Sequence, residues 1–170
     1  DWVRLAPGTS GNFLKTQGAS ANPVWAAVDT ITTVRKTADE TVNNSSTLQN
    51  DDALLRALAA NETWYFTVYV RYSSTTGTPD LKVSFTVPTG ATLSWTCNGA
   101  LVTAGDGIST CGEAVTSLVW GTSSSVRLAL IVGLVVNGGT AGDLQFQWAQ
   151  DVATAEDTKV LTNSYLEAHK

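Results

Sequence analysis

The sequence predicts an all-β protein, a jelly-roll-like β-sandwich preceded by an extended N-terminal arm. From about Thr30 onward, apolar and polar residues alternate in short runs rich in β-branched and aromatic side chains. Gly, Pro and Asn residues separate these runs, and no convincing amphipathic helix interrupts them. Because turns separate these runs, they correspond to about eight to ten short strands, as in a sandwich or jelly roll.

The first segment, residues 1–28, is predicted to be an extended arm that forms neither helix nor strand. Glycine and proline punctuate it, and no apolar period persists along it. It nevertheless carries large apolar side chains that have no core of their own to enter. These are Trp2, Phe13, Leu14, Val24 and Trp25. We therefore expect them to contact a partner, whereas residues 29–170 are expected to form the sandwich domain.

The clearest strand of the predicted domain is TWYFTVYVRY at residues 63–72. Its inward face should consist of every second residue, Trp64, Phe66, Val68, Val70 and Tyr72. Residues 80–87 and 142–150 alternate in the same way. Residues 126–137 form a long apolar run, which predicts a strand buried on both faces or facing a partner. Shorter strands are predicted at residues 31–36, 54–58, 91–96, 114–120 and within 158–170.

The charge balance excludes one large class of partners. Ten Lys and Arg residues against fifteen Asp and Glu give a net charge of −5, and the basic residues are scattered. A nucleic-acid partner is not expected, because binding one requires a basic face. Neither a signal peptide nor an apolar run long enough to span a bilayer as a helix occurs, so no membrane partner is expected. Because Met is absent, we expect a processed chain or a fragment.

Two cysteines, Cys97 and Cys111, flank a glycine-rich stretch. A disulfide between them would close a loop of roughly 15 residues, worth about 3 kcal/mol in the chain-entropy model. Two ordinary buried thiols are the alternative. Their spacing fits no common zinc or redox pattern, so no metal is expected there.

Catalytic groups are sparse in this sequence. The single histidine, His169, lies almost at the end of the chain, and no nucleophile-elbow, phosphate-loop or zinc-protease motif occurs. Acidic residues such as Asp80, Glu113 and Asp143 flank strands or turns and are interpreted as solvated turn residues. We therefore expect no enzymatic activity and no cofactor.

The densest group of oxygen ligands is Asn50-Asp51-Asp52. A calcium ion there is conceivable, but the spacing is not that of an EF-hand. The favoured interpretation is that Asp51 and Asp52 cap a short helical turn that starts near Ala53.

Six tryptophans raise the question of sugar binding, because flat sugars stack on exposed aromatic rings. Trp64 and Trp148 alternate in phase with aliphatic residues, which predicts a core position for both. Trp95 and Trp120 lie at strand ends and could either enter the core or present a stacking surface.

Two stretches resemble proteins of tailed-bacteriophage virions. The first, PGTSGNFLKTQGASANPVWAAV at residues 7–28, resembles a linker of the form G-x-F/V-L-x-T-x-G-x-x-x-x-P-x-W. This linker occurs before or between the folded modules of tail fibres, head fibres and other appendages. The matching residues are Gly11, Phe13, Leu14, Gly18, Pro23 and Trp25.

The second stretch covers most of the remainder and resembles a β-rich module of phage structural proteins. Its pattern is K-x-x-D-E-x-x-x-x-S-x-T-L-Q-x-D-D, then A-N-x-x-W/Y-x-F, D-I/L-K-x-x-F-x-x-P-x-G-A and L-Q-W-A-Q. The matching residues are Lys36, Asp39, Glu40, Thr47, Leu48, Gln49, Asp51, Asp52, Ala60, Asn61, Trp64, Asp80, Lys82, Phe85, Pro88, Gly90, Ala91, Gln147, Trp148, Ala149 and Gln150. Residues 97–111 lie outside it.

The resemblance implies a non-enzymatic structural protein on the capsid or tail surface of a virion. The expected role is a capsid decoration or head-fibre protein whose N-terminal arm binds the major capsid protein or other virion proteins. By analogy with this family, a closed homotrimer is expected. The alternative is a tail-fibre or receptor-binding module that recognises host glycans.

Overall fold

The computed structural model describes residues 5–28, 31–100, 108–110 and 117–170. The chain divides into two compact units, Asp1–Thr30 and Ile31–Lys170. In the described residues all regular secondary structure is β-strand, which confirms the all-β class.

The N-terminal unit contains two short strands, β1 (Asn12–Lys15) and β2 (Val24–Ala27). They pair antiparallel, with Asn12 opposite Ala27 at one end of the hairpin. The expectation of an arm without strands is therefore wrong for these residues. Each strand has only four residues, too few for an alternating apolar pattern to stand out in the sequence.

The second unit contains the remaining strands, which we number in chain order. They are β3 (Thr32–Arg35), β4 (Glu40–Val42), β5 (Gln49–Leu58), β6 (Thr63–Ser74), β7 (Leu81–Thr86), β8 (Thr92–Ala100), β9 (Ile108–Thr110), β10 (Ser117–Trp120), β11 (Arg127–Val136), β12 (Gly142–Gln150), β13 (Thr158–Val160) and β14 (Tyr165–His169).

Eight of these strands, β5 to β12, have the order of a jelly roll. One sheet has the order β5-β12-β7-β10, and the other contains the order β6-β11-β8-β9, all of them paired antiparallel. Successive strands thus alternate between the sheets over most of the run, and the last strand lies beside the first. This connectivity is that of two interleaved Greek keys and confirms the jelly-roll-like sandwich.

The sheet that contains β6 is widened on one side by strands from both ends of the domain. β14 and β13 pair with different parts of β6, while β3 pairs with β14 and β4 pairs with β13. The resulting surface has β11 in its middle, between β6 and β8.

The core lies between the two sheets and is rich in aromatic rings. Phe85 of β7 contacts Phe66 of β6 and Trp95 of β8 edge-on, each at 5.2 Å between ring centroids. On its own sheet it contacts Phe146 of β12 at 5.5 Å. The predicted inward face of residues 63–72 is confirmed, since Trp64, Phe66, Val68, Val70 and Tyr72 are all at most 3% exposed.

β5 contains an irregularity at the point where a helical turn was expected. Its register with β12 shifts between Gln145 and Gln147, which pair with Leu55 and Asn50 respectively. The intervening residues, 51–54, therefore bulge out of the ladder. The prediction of a helical turn is wrong, because this segment remains part of a strand.

Candidate functional site

The hairpin of the N-terminal unit is built by two glycines and one tryptophan of the linker motif. Gly11 and Gly18 have φ of +89° and +98°, a left-handed conformation that glycine adopts without steric cost. The indole N–H of Trp25 donates a hydrogen bond to the carbonyl of Ala6 at 2.8 Å. A Cβ on Gly8 would lie 2.3 Å from the Trp25 ring, so the ring lies directly on the preceding backbone.

Apolar side chains lie on both faces of this hairpin. Leu14 is opposite Trp25 in the register, and Phe13 is opposite Ala26, so Leu14 and Phe13 point to different faces. Phe13, Leu14, Val24 and Trp25 are 45%, 50%, 38% and 40% exposed. An isolated two-stranded hairpin is marginally stable in water. The unit therefore leaves a substantial apolar surface for a partner. Trp2, the fifth predicted contact residue, lies outside the described residues.

The acidic residues of the second motif surround a buried lysine. The Lys36 Nζ is 2.6 Å from Glu40 Oε2 and 2.9 Å from Asp51 Oδ2, and Lys36 is only 2% exposed. Burial alone would lower the pKa of Lys36, but hydrogen bonds to Glu40 and Asp51, with the charges of both, outweigh burial and raise that pKa. Lys36 is thus held as a cation between two carboxylates.

This ion-pair group fixes the segment before β4 to the bulge of β5. Gln49 Nε2 donates to Glu40 Oε1 at 2.7 Å. The Asp51 Oδ1 accepts the backbone N–H groups of Ala53 and Leu54 at 2.9 and 2.8 Å. Asp51 therefore binds two backbone N–H groups of the bulge in β5, and the expectation that it caps a helical turn is wrong.

The cation that was considered for Asn50-Asp51-Asp52 is supplied by the protein itself. The Asp51 carboxylate already binds the ammonium of Lys36 through Oδ2 and the backbone N–H groups of Ala53 and Leu54 through Oδ1. Among the described residues, no group of three or more His, Cys, Asp and Glu side chains is arranged to hold a metal ion.

The structure settles the position of four tryptophans. Trp64 and Trp148 are 3% and 0% exposed, which confirms the predicted core positions. Trp95 and Trp120 are 3% and 0% exposed as well. Neither can stack on a sugar, so they are removed as candidates for glycan binding.

Cys97 lies in the core beside Trp120. It is 3% exposed and disulfide-bonded, and its sulfur accepts the indole N–H of Trp120 at 3.3 Å. Cys111 lies outside the described residues, so the pairing of these two cysteines stays a prediction.

The outer face of β11 is a second exposed apolar surface. Ala129, Ile131 and Val135 point into the core and are at most 3% exposed. The alternate residues point outward, and we call them the β11 stripe: Leu128, Leu130, Val132, Leu134 and Val136. Four of these five are 40% to 52% exposed. Burial on both faces is therefore wrong for this strand, and the alternative of a strand that faces a partner stays a prediction.

The described residues contain no helix that is long and apolar enough to cross a membrane. No protein-family model and no curated protein sequence matches the chain.

Among solved structures, the chain is similar to capsid structures of infectious bursal disease virus. For a Gx strain structure the identity is 8% and the TM-score 0.22, and the alignment covers 93% of this chain and 45% of that chain. For a VP2 subviral particle the identity is 7% and the TM-score 0.23, covering 93% of this chain and 45% of that chain. The chain thus spans less than half the length of these proteins.

Proposed function

We propose that this protein is a non-enzymatic structural component of a tailed-phage virion. In this proposal it decorates the capsid or forms a head fibre, and its N-terminal unit attaches it to the major capsid protein or another virion protein. The sandwich is then the displayed part, and the copies assemble into a closed trimer.

The observation that carries the proposal is the hairpin with apolar side chains on both faces. Phe13, Leu14, Val24 and Trp25 are each at least 38% exposed in a unit that is too small to bury them. A short segment without a core cannot offset its ordering entropy alone. Contact with a larger assembly would bury these side chains and stabilise the hairpin at the same time.

The motif residues also favour this proposal over a catalytic one. In the linker motif, Gly11, Gly18 and Trp25 shape the hairpin. In the module motif, Lys36 and Asp51 form a buried ion pair. These residues therefore have structural roles. This agrees with the resemblance to phage structural proteins, which implies no catalytic residues.

The glycan-binding alternative loses its main support. Its motivation was the aromatic content together with the jelly-roll-like fold, and of the aromatic residues Trp95 and Trp120 are buried while Trp64 and Trp148 belong to the core. The remaining described tryptophan, Trp25, lies on the hairpin that we assign to attachment.

The test is binding of the full-length protein to purified particles of the phage that encodes it. Leu14→Asp and Trp25→Ala should abolish cosedimentation, because they remove apolar contacts from the hairpin. Val152→Asp is the matched control, since Val152 is an exposed apolar residue of the sandwich unit at 51%. Unchanged cosedimentation of both hairpin variants would contradict the proposal.

A further inference from the structure

The outer surface of the sheet along β6, β11 and β8 is poor in charge. The β11 stripe runs along its middle. On the β8 side the stripe is opposite Asn98, Thr96, Ser94 and Thr92. On the β6 side it is opposite Arg71, Tyr69, Thr67, Tyr65 and Thr63. The stripe therefore contains no ionisable residue, and only one of its direct cross-strand neighbours, Arg71, is charged.

Two aromatic pairs connect this surface to β14, where they flank the charged residue Glu167, which lies opposite Thr67. Tyr69 stacks on Tyr165 of β14 at 5.4 Å, and Tyr65 stacks on His169 at 5.6 Å between ring centroids. Tyr65 is 53% exposed. Stacked rings of this kind are already ordered before a partner arrives, so they lose little conformational freedom on binding.

The surface is uneven as well as apolar, because it contains a depression at one end of the stripe and protruding side chains at the other. On β8, the short side chains of Ser94 and Thr96 are opposite Leu134 and Val132. On β6, the large ring of Tyr65 is opposite Leu134. A depression of about 390 Å³ lies there, lined by Tyr65, Ser94, Trp95, Thr96, Val132, Gly133 and Leu134. At the other end of the stripe, Leu128 and Leu130 protrude, at 52% and 40% exposed.

We infer that the β11 stripe is the surface through which copies of this chain contact one another. Leu128 and Leu130 of one copy can fill the depression beside Gly133 of another, which makes the surface complementary to itself. The absence of charge from the stripe matters because the chain carries a net charge of −5. Two copies can approach through the stripe without burying like charges, provided that Arg71 and Glu167 lie at the rim of the contact.

The size of the surface fits a contact between copies. Three strands of about nine residues and the five residues of β14, at about 4.8 Å per strand and about 3.3 Å per residue, give roughly 500 Å² in projection, before side-chain relief is added. A stable protein interface buries about 800 Å² on each partner. This inference rests on the self-assembly included in the proposed function and assigns it to particular residues.

The experiment measures the mass of the full-length protein by light scattering and sedimentation equilibrium. The wild type should have the mass of two or three copies at micromolar concentrations. Val132→Lys and Leu128→Lys place a charge in the stripe and should raise the dissociation constant at least about 30-fold. Both residues point outward, so thermal unfolding monitored by circular dichroism should show an intact sandwich.

Two controls separate the stripe from other surfaces. Val152→Lys changes an equally exposed apolar residue outside the stripe and should leave the mass unchanged. Leu14→Lys changes the hairpin and should leave the mass unchanged as well. A monomeric wild type, stripe variants that associate like the wild type, or loss of association in Leu14→Lys alone would each overturn the inference.

Particle binding by the Val132→Lys protein tests the proposed function separately, because its hairpin is intact. If the wild type self-associates through the stripe but does not bind particles, attachment is contradicted and the stripe assignment stands. A monomeric wild type whose particle binding is lost in Val132→Lys would assign the stripe to the capsid and overturn the inference.

Discussion

Tryptophan occupies opposite environments in the two units of the chain. Trp25 of the N-terminal unit is 40% exposed and has one described hydrogen bond, to the backbone carbonyl of Ala6. Trp120 of the sandwich is fully buried and contacts the ring of Tyr72 at 5.7 Å. The sandwich therefore uses its described tryptophans for its own stability, whereas the N-terminal unit keeps Trp25 accessible. The predictions below test this division.

Replacing a buried tryptophan should have the largest effect. Trp120→Ala should lower the free energy of unfolding by about 3–5 kcal/mol, because it leaves a cavity beside Tyr72 and Gly99. Trp25→Ala should change it by less than about 0.5 kcal/mol, as is usual for exposed positions. Urea unfolding of both full-length variants, followed by circular dichroism, measures the difference. Equal losses would contradict the division between the units.

The buried ion pair should have an effect of similar size. Lys36→Met should cost about 3–5 kcal/mol, because it leaves the carboxylates of Asp51 and Glu40 buried without their cation. Lys159→Met is the matched control. The Lys159 ammonium lies 3.7 Å from Asp157 with both side chains at least 40% exposed, so its loss should cost about 0–1 kcal/mol. A comparable cost for both variants would show that burial of Lys36 has no consequence for stability.

The sequence predicts the long strands of the sandwich better than its irregular parts. Trp64 to Tyr72 and Leu144 to Trp148 alternate over enough residues for a period of two to identify the inward face. The ion pair of Lys36 with Asp51 could not be predicted, because it joins two elements across a bulge that has no periodic signature. Trp95 stayed ambiguous because alternation gives little information at the end of a strand.

The lack of an informative apolar period also explains the other differences between the predicted and the observed strands. β1 and β2 were missed because each has only four residues. The apolar run at residues 126–137 did reveal that β11 is unusual, but hydrophobicity alone cannot distinguish a strand between two layers from a strand with an exposed apolar face. Only the structure shows that Leu128 and Val132 point away from the core.

The next test compares a tightly packed glycine of the sandwich core with a glycine that has open space around it. A Cβ on Gly133 would lie 2.4 Å from Cζ of Phe66 and 2.8 Å from the carbonyl oxygen of Ser94. Gly133→Ala should therefore lower the free energy of unfolding by about 1–3 kcal/mol through overpacking. A Cβ on Gly139 would meet no atom within 4 Å, so Gly139→Ala is the control. Thermal unfolding compares the two, and equal melting temperatures would refute tight packing at Gly133.

The smallest expected effect concerns Glu62 at the turn before β6. Its carboxylate pairs with Lys170 and accepts hydrogen bonds from Trp64 Nε1 and the Ala59 N–H, both at 2.9 Å. These interactions, with Lys170 the largest, lower the pKa of Glu62 from 4.5 to about 2. Because the folded pKa lies below the ordinary value, ionised Glu62 stabilises the fold above pH 4.5. This contribution is lost as the pH falls toward 2.

Glu62→Gln should therefore be less stable than the wild type at neutral pH, by less than about 1 kcal/mol because the site is near the surface. The difference should shrink as the pH falls through the window between the two pKa values. Lys170→Met should reproduce the loss at neutral pH. Denaturant titrations at several pH values measure this, and a difference that does not depend on pH would rule out the role assigned to ionised Glu62.

The pairing of β5 with β12 has a consequence for how the protein folds. Gln49, near the start of the domain, pairs with Trp148, near its end, and the strands between them form most of both sheets. Sheets dominated by such long-range pairs fold slowly, on a scale of about milliseconds to seconds. The reason is that a long loop must close, at a cost in entropy, before the contacts that stabilise it can form. During synthesis, β5 has no paired strand until β12 has left the ribosome, because β12 is the strand that pairs with it. An edge left unpaired through most of synthesis is a site for intermolecular pairing before the domain is complete.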